Sequence, residues 1–246
     1  MKSEKIKNKK LDILFEDEYF IAVNKTAEML TIPDRYNSKI PNLQNILAKK
    51  YDEIFTIHRL DRGTSGIVLF AKNADAHKAM NTIFQEHEIE KIYDAVTDGY
   101  FSEEPIEIDI PLMTDPNRKG RTIPSARGKA SLTKAKLLKQ YRHCALVKCK
   151  LVTGRPHQLR VHMSAIGTPL LVDSFYGKRT EFLVSEFKKK YNLKKRTEEL
   201  PLISRQTMHA FSLKFIHPIS NEEILIEAPY PKDFRALVKV LDNHDS

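Results

Sequence analysis

The sequence predicts an α+β fold whose central sheet is mixed, largely antiparallel and flanked by helices. Segments with the alternating apolar pattern of strands outnumber segments with helical spacing. Most strand segments are joined by short turns, which connect antiparallel neighbours. A chain of 246 residues with 41% hydrophobic residues can also bury a substantial core. We therefore expect these elements to form one continuous domain.

The first predicted elements are a hairpin and a helix. Apolar residues at 11–15 and 19–23 flank an acidic turn, which predicts two antiparallel strands. A polar loop follows, and apolar residues with helical spacing from Leu43 to Tyr51 predict a helix. Residues 55–57 are predicted as a short strand.

The next segment is predicted to lie at the centre of the sheet. Residues 65–71 are apolar on both faces, as in a strand that is covered on both sides. Asn73 is a suitable N-cap for a helix over 73–89. Alternating residues at 91–100 and 106–112 predict two further strands.

The middle of the chain changes from loop to strands to helix. Residues 113–129 are rich in proline, glycine and basic residues, which predicts a mobile basic loop. Residues 130–141 and 144–152 are predicted as a long antiparallel pair. Pro156 near a first helical position and Gly167 just beyond a last one delimit a three-turn helix.

The C-terminal part is predicted to contain an insertion, a hairpin and a closing helix. A basic helix is predicted over 182–192, within an insertion at about 178–200. Residues 208–216 and 223–228 predict the hairpin, and 234–241 predict the amphipathic helix.

The predicted boundaries separate an arm from a domain. Residues 1–10 carry five lysines against one glutamate and are expected to be a disordered basic arm. Residues 11–246 are expected to form the folded domain.

Charge and composition narrow the class of protein. Lys plus Arg exceed Asp plus Glu by 41 − 32 = 9, which favours a polyanionic partner such as a nucleic acid. No apolar run approaches the roughly 20 residues of a bilayer-spanning helix, and the N-terminus lacks the apolar segment of a signal peptide. We therefore expect a cytoplasmic protein.

Cys144 and Cys149 fall on one predicted strand and are expected to be reduced thiols.

The segment His58-Arg59-Leu60-Asp61-Arg62 is the leading candidate for a functional site. Asp61 lies between two arginines on a turn before an apolar strand, and nearby guanidinium groups favour an ionised carboxylate. Such a carboxylate suits a nucleophile or a base. The spacing is equally compatible with a structural aspartate that caps its own turn.

Two later segments contain further candidates. Arg155 lies beside a predicted helix N-terminus, where a cation is favourable only if an anion such as phosphate joins it, and the alternative is a solvated arginine. His157 and His162 do not share a helix face, so no metal site is predicted. Lys91 and Tyr93 begin a strand and are two residues apart, although strand tyrosines more often simply pack.

Together these segments resemble the signature segments of the RluA-type pseudouridine synthases. The resemblance is carried by His58-Arg59-Leu60-Asp61 with Thr64-Ser65-Gly66, by Lys91-x-Tyr93, and by Thr153-Gly154-Arg155-x-His157-Gln158-Leu159-Arg160-x-His162. Leu213-x-Phe215-Ile216-His217-Pro218 and Ala228-Pro229 extend it, so that it covers about residues 11–235.

The resemblance implies roles for particular residues. Asp61 is implied to be the catalytic aspartate, Tyr93 to stack on the target base, and Arg160 to pair with the aspartate. Arg59 or Arg62 is expected to fill the gap left when a uridine is flipped out of its helix. Phosphate contacts are expected from Arg155, from residues 117–127 and from the insertion. The full set of expected substrate contacts is His58, Arg59, Arg62, Thr64, Lys91, Arg155, His157 and Gln158.

The chain departs from the family pattern at two places. The family usually has Asn-Lys-Pro-x-Gly where this chain has Asn24-Lys25-Thr26-Ala27-Glu28, and Val172-Asp173 replaces a usual Gly-Asp. We also expect that the chain lacks the small N-terminal S4 RNA-binding domain of many relatives, because only ten residues precede Leu11 in the sequence. Target selection is therefore expected to come from the loops of the catalytic domain.

The resemblance therefore predicts an RNA pseudouridine synthase that acts on structured ribosomal or transfer RNA, as a monomer and without metal or other cofactor. Whether Asp61 adds to C1′ of the ribose or assists removal of its 2′ proton is left open. The main alternative is a non-catalytic RNA-binding or ribosome-assembly protein with the same fold. A hydrolase that uses Asp61 is less well supported, because no second carboxylate or Ser-His arrangement accompanies it.

Overall fold

The computed structural model describes residues 11–188, 191 and 198–245. The strands in these residues are β1 Ile13–Glu16, β2 Phe20–Lys25, β3 Phe55–Thr56, β4 Ser65–Ala71, β5 Glu90–Asp98, β6 Ile106–Asp109, β7 Leu112–Thr114, β8 Thr122–Pro124, β9 Leu132–Gln140, β10 Cys144–Leu151, β11 Met208–Ile216 and β12 Glu223–Glu227. The α-helices are α1 Leu43–Leu47, α2 Ala74–Gln85, α3 Gln158–Ala165 and α4 Lys232–His244. The predicted α+β class with a largely antiparallel sheet is confirmed.

The described residues form two compact units. Unit 1 consists of residues up to Lys91 together with Ala210–Pro229, and unit 2 consists of Ile92–His209 together with the residues from Tyr230 onwards. A single domain over 11–246 therefore stays a prediction. The predicted basic arm, residues 1–10, lies outside the described residues.

The sheet of unit 1 is built around β4. Its strand order is β1-β2-β4-β11, with β12 on β11 and β3 on β4. Every residue of β4 is buried, as its continuous apolar sequence predicts. Gly66 in β4 has a φ of 116°, and a Cβ there would lie 2.2 Å from the carbonyl oxygen of Ala210 in β11. This close approach of two strands requires glycine.

Helix α2 packs on the sheet within unit 1. The Asn73 side chain accepts a hydrogen bond of 2.8 Å from the amide of Ala76, which confirms the predicted N-cap. Ala76 and Met80 join the core formed by β2, β4 and β11. The helix ends at Gln85, four residues before the predicted end.

In unit 2, the antiparallel strands follow the order β5-β10-β9-β6. Helix α4 contributes Phe234, Leu237 and Leu241 to a core that also contains Cys144 of β10. Cys144 and Cys149 lie on one strand and are free thiols, as predicted. Burial raises the pKa of both thiols, which keeps them protonated and unreactive.

One predicted loop was wrong, and so was the predicted start of one helix. Residues 113–129 are not one continuous loop, because β7 and β8 form a short hairpin in which Met113 lies opposite Ile123. Helix α3 begins at Gln158 rather than near Pro156, because His157 adopts a left-handed backbone with a φ of 54° and cannot belong to the helix.

Other helix predictions were too long. Helix α1 ends at Leu47 rather than at Tyr51. The start of the predicted helix 182–192 instead contains a single 3₁₀ turn, Val184–Glu186, and its end lies largely outside the described residues. Along the described part of the chain, no helix has the length and apolar character needed to cross a bilayer.

Candidate active-site residues

Asp61 lies on a turn between β3 and β4 in unit 1. The Asp61 carbonyl accepts a hydrogen bond of 3.0 Å from the amide of Thr64, which closes the turn. The Asp61 side chain is partly exposed. Residues 58–64, which we call the aspartate loop, therefore present this carboxylate on a hydrogen-bonded turn, as predicted.

Backbone groups on both sides of Asp61 fix the aspartate loop. The Thr31 hydroxyl bonds to both the amide (3.2 Å) and the carbonyl (3.3 Å) of Leu60. The carbonyl of Arg62 accepts from the Glu28 amide at 2.9 Å and from the Lys25 ammonium at 3.2 Å. These bonds go to main-chain groups, so they do not themselves require the Asp61 side chain.

The segment that departs from the family pattern forms the support of this loop. Lys25 is fully buried, and its ammonium also donates to the carbonyls of Thr26 (3.2 Å) and Met29 (2.9 Å). Glu28 stands where the family usually has glycine and keeps a left-handed backbone, with a φ of 68°. Its carboxylate forms an exposed ion pair with Arg62 at 3.2 Å. A residue other than glycine in this conformation carries a cost in backbone strain.

The pKa values of His58 and Lys91 are both lowered, and the charge of Lys91 acts on His58. His58 Nε2 accepts a hydrogen bond of 3.1 Å from the amide of Leu69, and its ring stacks on Phe84 with a centroid distance of 5.3 Å. Burial, with the positive charge of Lys91 as a second cause, lowers the pKa of His58 to about 3. Burial also lowers the pKa of Lys91 to about 8, and its ammonium lies 5.5 Å from the Phe84 centroid. His58 is therefore a neutral acceptor at pH 7 that anchors β4.

The other candidates in the aspartate loop differ in exposure. Arg59 and Arg62 are exposed and can reach a ligand. Thr64 is buried, and its hydroxyl oxygen has no hydrogen-bond partner among the described residues. An unsatisfied buried hydroxyl costs about 1–3 kcal/mol, so the burial of Thr64 lowers the stability of the fold.

Tyr93 lies on β5 in unit 2. It is opposite Cys149 of β10, and only 8% of the residue is exposed. The ring is therefore held by strand packing at a fixed position along β5.

Arg160 is held by an ion pair that sequence reasoning missed. Its Nε and Nη2 atoms donate to the two carboxylate oxygens of Asp173 at 2.7 and 2.8 Å, and both side chains are buried. With the Gln206 amide oriented so that its oxygen faces the guanidinium, this oxygen accepts two further bonds of 3.2 and 3.3 Å. Such a bidentate fork fixes the guanidinium plane as well as its position.

The same aspartate shapes the following turn. Asp173 Oδ1 also accepts from the amides of Phe175 (2.9 Å) and Tyr176 (3.2 Å). We call Arg160 together with residues 173–177 the arginine turn. The guanidinium carbon of Arg160 lies 5.0 Å from the Tyr176 centroid and 5.7 Å from the Phe175 centroid, within the range of cation–π attraction.

Tyr176 connects the arginine turn with two other elements of unit 2. Its hydroxyl lies 2.8 Å from His157 Nδ1 and accepts a hydrogen bond of 2.8 Å from the Thr122 amide of β8. Burial raises the pKa of the Tyr176 phenol, so it stays protonated. His157, expected to contact substrate, thus lies beside the arginine turn.

Gln158 and Arg155 already have protein partners. The amide nitrogen of Gln158 donates to Leu132 and Thr133, and its oxygen accepts from the Thr153 hydroxyl (2.7 Å) and the Arg155 amide (3.0 Å). Arg155 Nε donates to the Ala130 carbonyl at 3.1 Å. Gln158 therefore positions the segment before α3, while the partly exposed Arg155 keeps further donors for a ligand.

His162 is a structural residue. Its Nε2 lies 3.0 Å from the Ile110 carbonyl and its Nδ1 lies 2.9 Å from the Thr133 hydroxyl. Both ring nitrogens are thus occupied, and burial lowers the pKa of His162. Within the described residues, no group of three or more His, Cys, Asp or Glu side chains is arranged to hold a metal ion.

Asp173 and Tyr176 had only a faint sequence signal. The segment Val172-Asp173 stood out as a departure from the family pattern. An aspartate followed by Ser174 and, shortly afterwards, by Gly177 is typical of a side-chain-capped turn. That this turn contacts Arg160 follows only from the three-dimensional structure.

Comparisons with known proteins agree on one family. The sequence model of the RNA pseudouridylate synthase family matches residues 19–165. The chain is 36% identical over 242 residues to the ribosomal large subunit pseudouridine synthase D of Zymomonas mobilis. The match covers 94% of this chain and 73% of that relative. The chain is 35% identical to the dual-specificity RNA pseudouridine synthase RluA of Vibrio vulnificus, over 85% of this chain and 79% of the relative.

Solved structures show the same fold. The human RNA pseudouridylate synthase domain containing 1 matches with a TM-score of 0.68 and 25% identity, over 96% of this chain and 97% of that chain. The human RNA pseudouridylate synthase domain containing 4 matches with a TM-score of 0.72 and 23% identity, over 94% of this chain and 93% of that chain.

Proposed function

Because the chain belongs to the RNA pseudouridylate synthase family, we propose that it is an isomerase that converts specific uridines to pseudouridine in structured ribosomal or transfer RNA. The observation that carries this proposal is the family match over residues 19–165. The matched segment contains Asp61, Tyr93 and Arg160, the three residues that we propose as catalytic.

The reaction is an isomerisation without net oxidation or reduction. The bond between N1 of uracil and C1′ of ribose breaks, a bond between C5 and C1′ forms, C5 loses its proton and N1 gains one. One ionised carboxylate is enough to start this sequence, and we propose Asp61 for that role. It either adds to C1′ or assists removal of the 2′ proton, and both routes return the carboxylate unchanged.

Tyr93 and Arg160 are proposed to assist Asp61. Tyr93 is a ring on a packed strand, suited to stack on the uracil and to move a proton through its hydroxyl. Arg160 is proposed to pair with the catalytic aspartate. The buried fork between Arg160 and Asp173 supports this role, because it fixes the guanidinium before substrate arrives.

Base flipping is proposed to bring the uridine to the enzyme. A base within an RNA helix is out of reach, and extrusion costs a few kcal/mol, less in a loop or bulge. Arg59 and Arg62 are exposed side chains on the same loop as Asp61, and one of the two is proposed to occupy the gap. The surplus of nine positive charges supports phosphate contacts and predicts affinity that falls steeply with salt.

The remaining expected substrate contacts divide into two groups. Lys91, Arg155 and His157 are proposed to contact RNA directly. His58 and Gln158 already bond to the protein and are proposed to position their neighbours. Thr64 is proposed to shape the turn that presents Asp61.

The cellular setting is also a proposal. We propose that the protein works in the cytoplasm, where its two free cysteines would stay reduced. Its monomeric state is a prediction that the oligomeric mass in solution tests.

Tritium release tests the activity. A transcript made with 5-tritiated uridine loses tritium to water when C5 becomes bonded to C1′. We expect release with the wild-type protein and a loss of at least about a thousandfold with Asp61→Asn, while RNA binding is retained. Normal turnover of Asp61→Asn would overturn the role of Asp61.

A matched control separates catalysis from a general effect of charge. Asp52 is an exposed aspartate in the same unit, so Asp52→Asn should release tritium like the wild type. If the wild-type protein binds RNA but releases no tritium from any transcript, the chain is the non-catalytic RNA-binding protein considered above.

Mapping identifies the target. Pseudouridine positions in total RNA are compared between cells with and without the protein. Large-subunit ribosomal RNA is the first RNA to inspect, because the name of one similar protein specifies the large ribosomal subunit.

A further inference from the structure

Phe175 is an aromatic side chain that the core of unit 2 does not use. It is 39% exposed, whereas Phe182 and Phe234 in the same unit are fully buried. Its position is nevertheless fixed, because its amide bonds to the buried carboxylate of Asp173 at 2.9 Å. The arginine turn therefore presents this ring to solvent in a defined place.

Guanidinium groups surround the exposed ring. The guanidinium carbon of Arg118 lies 5.3 Å from the Phe175 centroid, and that of Arg160 lies 5.7 Å from it. Arg121 lies 5.7 Å from the adjacent ring of Tyr176. The bond from the Thr122 amide to the Tyr176 hydroxyl ties the hairpin that carries these arginines to the arginine turn. The surface is thus aromatic at its centre and cationic at its edge.

Arg121 has an unused donor at this surface. Its Nε is buried and has no hydrogen-bond partner among the described residues. A buried donor without an acceptor is costly, and an incoming anionic or carbonyl oxygen would satisfy it. Arg118 is exposed at the tip of the same hairpin, so its guanidinium can move to admit a flat ligand.

We propose that Phe175 is a stacking platform for an unpaired base of the substrate RNA, with Arg118 and Arg121 binding the adjoining phosphates. The identity of the ligand rests on the proposed function. The chemistry of the surface supports it independently, because every nucleobase has a π-face that stacks on an aromatic ring or an arginine plane, and every base is joined to phosphates that bind guanidinium groups. A peptide partner would not combine a flat ring with regularly spaced anions.

Fluorescence of 2-aminopurine tests the platform directly. The probe is a stem–loop transcript in which one loop base is replaced by 2-aminopurine, and a series moves the fluorophore through every loop position. With the wild-type protein, we expect quenching at one position, because stacking on an aromatic ring quenches this base. Phe175→Ala should abolish that quenching and weaken binding by about 5- to 100-fold. Phe175→Trp should retain both.

The controls distinguish stacking from folding and from charge. Tyr100→Ala removes another aromatic ring of unit 2 that is 73% exposed, and it should leave binding unchanged. The thermal unfolding of Phe175→Ala should match the wild type, since the ring is outside the core. Arg118→Gln should weaken binding to all loop sequences equally and reduce the salt slope by about 1.

The outcomes separate this proposal from the proposed function. If the wild type releases tritium but Phe175→Ala binds and quenches like the wild type, the platform is wrong and the function stands. Binding of RNA by the wild type without tritium release, but with quenching that depends on Phe175, supports the platform and overturns the catalytic assignment. Absence of RNA binding by the wild type overturns both.

Discussion

The aspartate loop of unit 1 and the arginine turn of unit 2 are fixed by different kinds of bond. In the aspartate loop, Thr31 and Lys25 hold the main chain on either side of Asp61. In the arginine turn, one buried ion pair between Arg160 and Asp173 fixes the guanidinium, and the same carboxylate closes the turn. The first arrangement depends on bonds to main-chain groups, whereas the second depends on two side chains.

The two regions also differ in whether a buried charged side chain has a partner of opposite charge. Arg160 has a carboxylate partner, but Lys91 beside the aspartate loop has none within ion-pair distance among the described residues. A buried charge without a counter-charge lowers stability until it loses its proton. The two regions should therefore respond differently to substitution and to pH.

The largest effect is expected from breaking the ion pair of the arginine turn. Asp173→Asn keeps an oxygen for the amides of Phe175 and Tyr176 but removes the buried negative charge that forms the fork with Arg160. We expect a loss of about 3–5 kcal/mol in the free energy of unfolding, measured by urea denaturation. The double variant Arg160→Met with Asp173→Asn should lose less than the sum of the single variants. A loss under about 1 kcal/mol for Asp173→Asn would show that the pair does not hold the turn.

Lys91→Met is expected to remove a pH dependence. The pKa of Lys91 is about 8 in the folded protein against 10.5 for an ordinary lysine, so between these values the unfolded chain binds more protons and wild-type stability rises with pH. The variant should be more stable than the wild type at pH 7, by on the order of 3 kcal/mol at most. The difference should shrink from pH 8 upwards. A constant difference between pH 7 and pH 10 in denaturation experiments would contradict this account.

Lys25→Met should loosen the aspartate loop without unfolding unit 1. The carbonyls of Thr26, Met29 and Arg62 lose a buried donor, which should cost about 1–3 kcal/mol. Hydrogen exchange of the Thr64 amide should accelerate. This amide closes the turn at Asp61, and Lys25 donates to the Arg62 carbonyl within that turn. Lys49→Met, at an exposed position of the same unit, serves as the control and should change neither quantity. Unchanged exchange at Thr64 in Lys25→Met would remove Lys25 from the support of the loop.

The smallest effect is expected at Glu28. Its left-handed backbone favours glycine, whereas its exposed ion pair with Arg62 contributes little. Glu28→Gly should therefore be more stable than Glu28→Ala by about 1 kcal/mol, because both variants lose the ion pair and only glycine relieves the strain. Equal thermal stabilities of these two variants would mean that the backbone at 28 carries no strain.

Local patterns made parts of the fold predictable. The buried strand β4 and the N-cap Asn73 depend on residues that are close in sequence, and both are confirmed. The left-handed backbone of His157 was not predictable, because histidine has no strong preference for it and the bonds of Gln158 to β9 set the path of the chain. The β7–β8 hairpin was missed because its strands have only three residues each.

Only those residues of the candidate site that lie in recognisable sequence motifs were predictable. Asp61 lies on a turn as its neighbours in the sequence indicate. Asp173 lies 13 residues from Arg160, and no sequence rule brings an aspartate after a helix back to an arginine within it. The neutrality of His58 likewise depends on its burial and on the positive charge of Lys91, which act on it only in the folded protein. Tertiary contacts thus decide the electrostatics of the site.

The glycine contact between β4 and β11 has a consequence for biosynthesis. Ala210 is translated 210 − 66 = 144 residues after Gly66, so the strand that packs against this glycine emerges from the ribosome late. Unit 1 stays incomplete until residues 210–229 are available, although its first segment ends at Lys91. We expect stalled nascent chains that end before residue 210 to be cleaved by protease within β4, and longer chains to resist. The early strands of unit 1 would then complete their packing only after residues 210–229 have been synthesised.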